Sequence, residues 1–206
     1  VQLEMGRRFA FGFGIPKKST EAFKWFTLSA EQGNSTSQKN LGHCYREGKG
    51  TELNYLEAIN WYFKAAKQGN IEAKYYLGTM YRTGVGAPKD DEQAYEYFRE
   101  AAEQGDVRAK VNLGYCLCNG LRVEQNIEKG ISLYEEAADQ GNKLALFNLG
   151  MCYKEGFGVE QDIRKAIEYF EMSGKEGHGK SLDILGKIYE TEEGYKRLSA
   201  LSEFSS

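Results

Sequence analysis

Apolar and polar positions alternate along this chain with the spacing of amphipathic helices. In residues 71–106, Ala73, Leu77 and Tyr81 stand four residues apart and share one face of a first helix. A second apolar face follows, in which rings alternate with small side chains: Ala94, Tyr97, Phe98, Ala101 and Ala102. Because large rings pack closely only against small side chains on a facing helix, we expect the two helices to pair.

The pattern recurs with a period of 36 residues, marked by glycines in one phase: Gly33, Gly69, Gly105, Gly141 and Gly177. Such a period predicts a stack of helix-turn-helix copies. The copies are expected over residues 1–34 (lacking its beginning), 35–70, 71–106, 107–142, 143–178 and 179–206 (a partial, capping copy). With two prolines and no linker-like run, residues 1–206 are predicted to form a single array.

The turn between the two helices of a copy has its own signature. A Gly-x-Gly step is expected to end the first helix, because glycine adopts the left-handed backbone conformation at little cost. A residue able to cap the second helix follows: Asn54, Asp90, Asn126 or Asp162. In the fourth copy Arg122 replaces the second turn glycine and Gly130 replaces the helix alanine, so we expect looser packing there.

Together these motifs resemble the Sel1-like repeat (SLR) family, a relative of the tetratricopeptide repeats with a longer turn. The resemblance rests on LG-x-x-Y in the first helix, G-x-G in the turn and A-x-x-W/Y-Y/F-x-x-A-A in the second helix. It covers nearly the whole chain, although the segment after Tyr189 loses the pattern and Tyr195 to Phe204 is either a short closing helix or a frayed end. The resemblance implies an all-α, α/α superhelical solenoid of about five to six repeats.

Composition narrows the classes of function. Apolar residues make up 41% of the 206 positions, enough for a continuous core, and no stretch approaches the length of a membrane span. With 27 basic against 30 acidic residues, no nucleic-acid partner is expected. The start at Val1, partway along a helix, indicates a piece of a longer protein.

Cysteine usage favours a reducing compartment. Cys44, Cys116 and Cys152 share one phase of the first helix and are expected to be buried, reduced thiols. Stacked helices lie about 8–10 Å apart, beyond the roughly 7 Å Cα separation that a disulfide tolerates. Some secreted members of the family carry a cysteine pair in each repeat, which this chain lacks, so the resemblance favours the cytoplasm.

No constellation of residues indicates a reaction, and neither a metal nor a cofactor is expected. Cys116 and Cys118 are two residues apart and point to opposite sides of a helix, which disfavours a metal site. Nothing pairs His43 or His178 with a nucleophile, so both are interpreted as polar surface residues.

The side of the first helix opposite the core is the predicted binding surface, which in the family lines the concave side. Its centre is apolar and aromatic and its flanks are basic, a composition that favours a partner with some acidic character. Alternatively, Leu144 and Phe147 extend the core if the helix phase is off by one residue. We name the predicted residues the first-helix stripe: Arg46, Tyr75, Arg82, Arg108, Val111, Tyr115, Cys118, Leu144, Phe147, Met151 and Lys154.

The leading hypothesis is a non-catalytic scaffold or adaptor that binds a peptide or helix of a partner protein in this groove. A first alternative is the regulatory repeat region of a larger enzyme whose catalytic domain lies before Val1. A second is a hydrolase, the activity usually claimed for secreted relatives, although the nucleophile and base that it requires are not found in the sequence.

Overall fold

The computed structural model describes residues 1–190, which contain eleven α-helices and no strand. The helices are α1 (Gln2–Phe11), α2 (Ser19–Glu31), α3 (Ser35–Glu47), α4 (Tyr55–Lys67), α5 (Ile71–Thr83), α6 (Asp91–Glu103), α7 (Val107–Asn119), α8 (Ile127–Ala138), α9 (Lys143–Glu155), α10 (Ile163–Lys175) and α11 (Gly179–Tyr189). The predicted all-α class and the two-helix copy are confirmed. The predicted closing helix at Tyr195 to Phe204 lies outside the described residues.

The chain divides into two compact units, Val1–Ala109 and Lys110–Ser206, called here the N-terminal and the C-terminal unit. In the N-terminal unit consecutive helices pack on each other from α1 to α6. In the C-terminal unit α8, α9, α10 and α11 pack in the same consecutive order. The single array over residues 1–206 stays a prediction.

The centre of each copy is a ring of the second helix lying on a glycine of the first. A Cβ atom added to Gly78 would lie 2.7 Å from the Phe98 ring, and one added to Gly150 would lie 2.6 Å from the Phe170 ring. The same contact joins Gly6 with Phe26, Gly42 with Tyr62, and Gly114 with Tyr134. Because no side chain separates the helices here, the rings are almost fully buried and the two backbones come close.

Both ends of the turn follow the sequence prediction. Gly84 adopts a left-handed conformation with φ of 71° after α5, as the corresponding glycines do after α1, α3 and α9. The Asp90 carboxylate accepts hydrogen bonds from the Glu92 and Gln93 backbone N–H groups, at 3.1 and 3.0 Å. The predicted caps Asn54, Asn126 and Asp162 make equivalent bonds to the first turns of α4, α8 and α10.

The fourth copy is not loosely packed, contrary to the expectation. Arg122 keeps the turn by adopting φ of 58° itself. A Cβ atom on Gly130 would lie 2.8 Å from the Gly114 carbonyl oxygen and would also meet the Cys118 sulfur. The loss of one methyl group therefore lets α8 approach α7 closely.

Candidate partner-binding surface

In the N-terminal unit the first-helix stripe carries aromatic and basic side chains that are partly exposed. Arg46 comes from α3, Tyr75 and Arg82 from α5, and Arg108 from the first turn of α7. The stripe is open here, as predicted. Its residues contact one another and their neighbours in three groups, around Tyr76, Tyr75 and Arg82.

Arg46 lies over the face of Tyr76. Its guanidinium carbon is 4.5 Å from the ring centroid, and one of its terminal nitrogens pairs with Glu47. Tyr76 and His43 also form a T-shaped ring pair, with 4.5 Å between the centroids. A cation over a ring at such a partly exposed site gains about 0.5–1 kcal/mol, enough to give Arg46 a preferred direction. Tyr76, which follows Tyr75 directly, does not belong to the predicted stripe.

His43 belongs to the interior of this group, and its interpretation as a surface residue is wrong. Its Nδ1 atom is hydrogen-bonded to the Tyr62 hydroxyl at 2.8 Å. Burial lowers the pKa of His43 to about 4, with Lys39 and Arg46 lowering it further while Glu47 and Glu72 oppose the shift. The ring is therefore neutral at pH 7. Tyr62 comes from α4, the helix that follows, so the spacing within α3 could not reveal the contact.

The second group surrounds Tyr75. The Arg108 guanidinium carbon lies 4.2 Å from the Tyr75 ring centroid, and Arg108 pairs with Asp106 at 2.7 Å. Glu72 lies 3.9 Å from Arg108 and 2.7 Å from Lys39. Carboxylates of the protein itself therefore already balance two of the cations along this part of the stripe.

The positive charge of Arg82 is less well balanced by nearby carboxylates. Within residues 1–190 no ion pair joins its guanidinium to a carboxylate, and its Nε atom is buried without a hydrogen-bond partner. The Nε atom of Arg46, at the equivalent position one copy earlier, is also buried without a hydrogen-bond partner. A buried N–H without an acceptor costs about 1–3 kcal/mol. Because Nε is buried, the remaining guanidinium nitrogens are the groups available to a partner.

A cavity of about 320 Å³ opens beside Arg46 in the N-terminal unit. One part of its wall is apolar and aromatic, and another part is basic. The lining residues are Ala10, Phe11, Lys17, Ser19, Ala22, Phe26, Asn40, His43, Cys44, Arg46, Glu47, Lys49 and Tyr76. Of the first-helix stripe only Arg46 reaches this cavity, because Lys17 comes from a turn and the aromatic wall from α1 and α2.

The C-terminal unit presents a different stripe. Tyr115 and Leu144 are 44% and 48% exposed, in agreement with the prediction.

Phe147 and Met151 are half-buried and pack against the core around Phe170. The Phe147 ring centroid is 5.9 Å from that of Phe170 and 4.7 Å from that of His178. One part of the Phe147 side chain is thus exposed, and another part packs in the core. Lys154 lies at the end of α9, 3.7 Å from Glu155.

Two residues of the predicted stripe are buried, so their predicted exposure is wrong. Cys118 is 2% exposed because it fills the space left by the missing methyl group of Gly130. Val111 is 5% exposed, since its short branched side chain does not extend past its neighbours as Tyr75 and Phe147 do from the equivalent position. Neither residue presents a surface to a partner.

The four cysteines are all buried, and no disulfide joins them. Burial is confirmed for Cys44, Cys116 and Cys152, and burial raises the pKa of Cys44 to about 11 and that of Cys152 to about 12. Among the described residues no group of three His, Cys, Asp or Glu side chains is placed to hold a metal ion. Of the helices α1 to α11, none has both the length and the apolar character needed to cross a bilayer.

Comparison with known proteins agrees with these features. The family model described as Sel1 repeat matches residues 1–34, 35–70, 71–106, 107–142 and 143–178, which are the predicted copy boundaries. Among proteins with curated descriptions, none matches this sequence.

Solved structures with the same fold come from several bacteria. A Sel1 repeat protein from Oxalobacter formigenes is 32% identical over 92% of this chain and 75% of that protein, with a TM-score of 0.87. A protective antigen of uropathogenic Escherichia coli with an SLR fold is 30% identical over 95% of this chain, which spans half of the antigen, with a TM-score of 0.50. An immunity protein from Pseudomonas aeruginosa, 23% identical over 93% of this chain and 72% of its own, shares the fold with a TM-score of 0.61. The chain belongs to the Sel1-repeat family.

Proposed function

We propose that this protein is a non-catalytic scaffold that binds a peptide segment of a partner protein along the first-helix stripe. Sel1-repeat proteins are generally protein-interaction scaffolds and typically non-catalytic. The observation that carries the proposal is the open stripe of the N-terminal unit, where Arg46 and Arg108 lie on tyrosine rings. Aromatic and arginine side chains are the residues that most often dominate the free energy of protein binding.

The two units suit different parts of a partner. In the N-terminal unit Arg46 and Arg108 already pair with Glu47 and Asp106. Arg82, which has no such pair within residues 1–190, favours a carboxylate or carbonyl oxygen of the partner. Tyr115, Leu144 and the exposed part of Phe147 favour apolar side chains in the C-terminal unit. Each surface is proposed separately as a contact region.

The experiment is a selection of peptides from a displayed random library on the purified chain, followed by binding isotherms with the selected peptides. Tyr75→Ala and Arg82→Glu are expected to weaken binding at least tenfold, about 1.4 kcal/mol. Lys24→Glu, a charge reversal on the exposed face of α2, is the matched control. A library from which no peptide is enriched, or peptides that bind Tyr75→Ala and Arg82→Glu as they bind the wild type, would refute the proposed function.

A further inference from the structure

We propose that the cavity beside Arg46 binds an acidic side chain together with an adjacent aromatic or aliphatic side chain of the partner peptide. This inference rests on the proposed function, and it names one specific subsite and the chemistry of its occupant.

The cavity has the size of a side-chain site. Its volume of about 320 Å³ corresponds to roughly ten water molecules at about 30 Å³ each. Such a volume lies at the lower end of the range for ligand sites, so it admits one or two side chains of a peptide but no folded element.

Charge selects an acidic occupant. Lys17, Arg46 and Lys49 line the cavity, and Glu47 is the one carboxylate among the lining residues. Both Arg46 and Lys49 pair with Glu47, and their bonds to its carboxylate lower the pKa of Glu47, which stays ionised. His43 is neutral at pH 7 and adds no charge. The lining therefore has an excess of two positive charges, with Lys17 in no ion pair within residues 1–190.

The apolar wall of the cavity favours an apolar side chain next to the acidic residue of the peptide. Phe11 is 65% exposed at the end of α1, and Phe26, the ring that packs on Gly6, reaches the cavity from α2. A carboxylate alone would leave the Phe11 ring in water, whereas Phe26 is only 4% exposed and adds little apolar surface to the wall. A ring or branched aliphatic side chain next to the acidic residue would remove apolar surface from water at about 25 cal/mol per Å².

The chain offers a matched pair of variants for the test. Lys17 and Lys89 each stand five residues after the glycine that ends the first helix, and both are exposed. Lys17 lines the cavity, whereas Lys89 lies outside it and pairs with Asp91 at 3.0 Å. Lys17→Glu and Lys89→Glu thus make the same charge reversal at equivalent turns of the same unit.

The experiment uses dodecapeptides selected on the full chain from a displayed random library. We expect the selected sequences to contain Asp or Glu next to an aromatic or aliphatic residue. Lys17→Glu should raise the Kd of such a peptide at least tenfold, while Lys89→Glu changes it less than twofold. Replacing the acidic residue of the peptide by its amide should also raise the Kd at least tenfold for the wild-type protein. Unchanged melting temperatures for both variants establish that folding is intact.

Other outcomes separate the two proposals. Selected peptides that bind Lys17→Glu as tightly as the wild type, or whose amide forms bind equally well, would overturn the cavity assignment. If those peptides still lose affinity for Tyr75→Ala and Arg82→Glu, the proposed function stands without this subsite. If no peptide is enriched above the support alone, both proposals are wrong.

Discussion

The twelfth residue of the first helix is used differently in the two units. In the N-terminal unit it is Arg46 and Arg82, which lie at the surface with their stems enclosed. In the C-terminal unit the position holds two different residues. Lys154 is partly exposed, whereas Cys118 is buried against Gly130, in a copy where glycine replaces the usual alanine of the second helix. Exposure along a repeat therefore depends on the facing helix as much as on the phase of the helix itself. Four predictions test the difference between the units.

Replacing Phe147 by alanine should have the largest effect on stability. The ring packs on Phe170 and His178, so its removal leaves space in the core of the C-terminal unit. We expect a loss of about 2–3 kcal/mol, seen as a fall of several degrees in the melting temperature followed by circular dichroism. Tyr115→Ala, at the more exposed position, should change stability by only about 0.5 kcal/mol. Equal losses for the two variants would show that Phe147 does not belong to the core.

Acidification should weaken the N-terminal unit through His43. Its pKa is about 4 in the folded state and 6.5 in the reference state, so the unfolded chain binds the proton more strongly between these values. The stability present above pH 6.5 is therefore lost as the pH falls towards 4, by roughly 2–3 kcal/mol. The shift reflects burial, the charges of Lys39 and Arg46 and the opposing charges of Glu47 and Glu72.

The control for this effect is His43→Phe, which removes the titrating ring. Trp25 and Trp61 both lie in the N-terminal unit, so their fluorescence during urea unfolding reports on that unit. The difference in stability between the wild type and His43→Phe should change between pH 7 and pH 4.5. Parallel pH profiles would contradict the assignment of a neutral, enclosed His43.

Gly130→Ala should destabilise the C-terminal unit by about 1 kcal/mol. Overpacking against the Gly114 carbonyl and the Cys118 sulfur costs about 1–3 kcal/mol, which exceeds the gain of up to about 1 kcal/mol in helix propensity. Adding Cys118→Ala should recover part of the loss. Gly186→Ala in α11, where no atom of residues 1–190 outside the local helix backbone lies within 4 Å of the added Cβ, should instead stabilise by up to about 1 kcal/mol in the same urea titration. A stabilising Gly130→Ala would show that α7 and α8 are not in close contact.

The smallest effect concerns thiol reactivity, which should not distinguish the units. All four cysteines are buried, and burial raises the pKa values of Cys44, Cys118 and Cys152. For Cys44 a pKa of about 11 instead of 9.0 reduces the thiolate at pH 8 by about a hundredfold. Alkylation of the native protein followed by mass spectrometry should show slow labelling at every site, in contrast to the denatured chain. Rapid labelling of Cys118 alone would show that its thiol is exposed, as the sequence predicts.

Local signals made the fold predictable. The 36-residue period, the turn glycines and the caps at Asn54, Asp90, Asn126 and Asp162 depend on neighbouring residues in the sequence, and all appear in the structure. The caps of the first helices were overlooked although their signal is similar. Asn70, directly after Gly69, accepts a bond from the Ala73 N–H at 3.0 Å, and Asp106 after Gly105 does the same for Ala109.

The surface was less predictable because it depends on contacts between helices. The helical phase gives Cys118 the same position in its copy as Arg82 and Lys154 have in theirs. Cys118 is nevertheless buried, because Gly130 lacks the methyl group that would occupy its space. In the same way, the sequence predicts a polar surface position for His43. In the structure its ring packs against Tyr62 and Tyr76, which come from two other helices. Lys17 and Phe11 meet at the cavity only because a turn and a helix end come together there.

The ring-on-glycine contact has a consequence for how the chain folds. In each of the five pairs the ring follows its glycine by 20 residues, from Gly6 and Phe26 to Gly150 and Phe170. Closing such a short loop costs little entropy, and a topology dominated by local contacts has a low contact order. Each copy can therefore form its central contact as soon as its own second helix has been synthesised, without waiting for distant parts of the chain. The outer apolar face of that copy is covered only later, when the next copy packs against it.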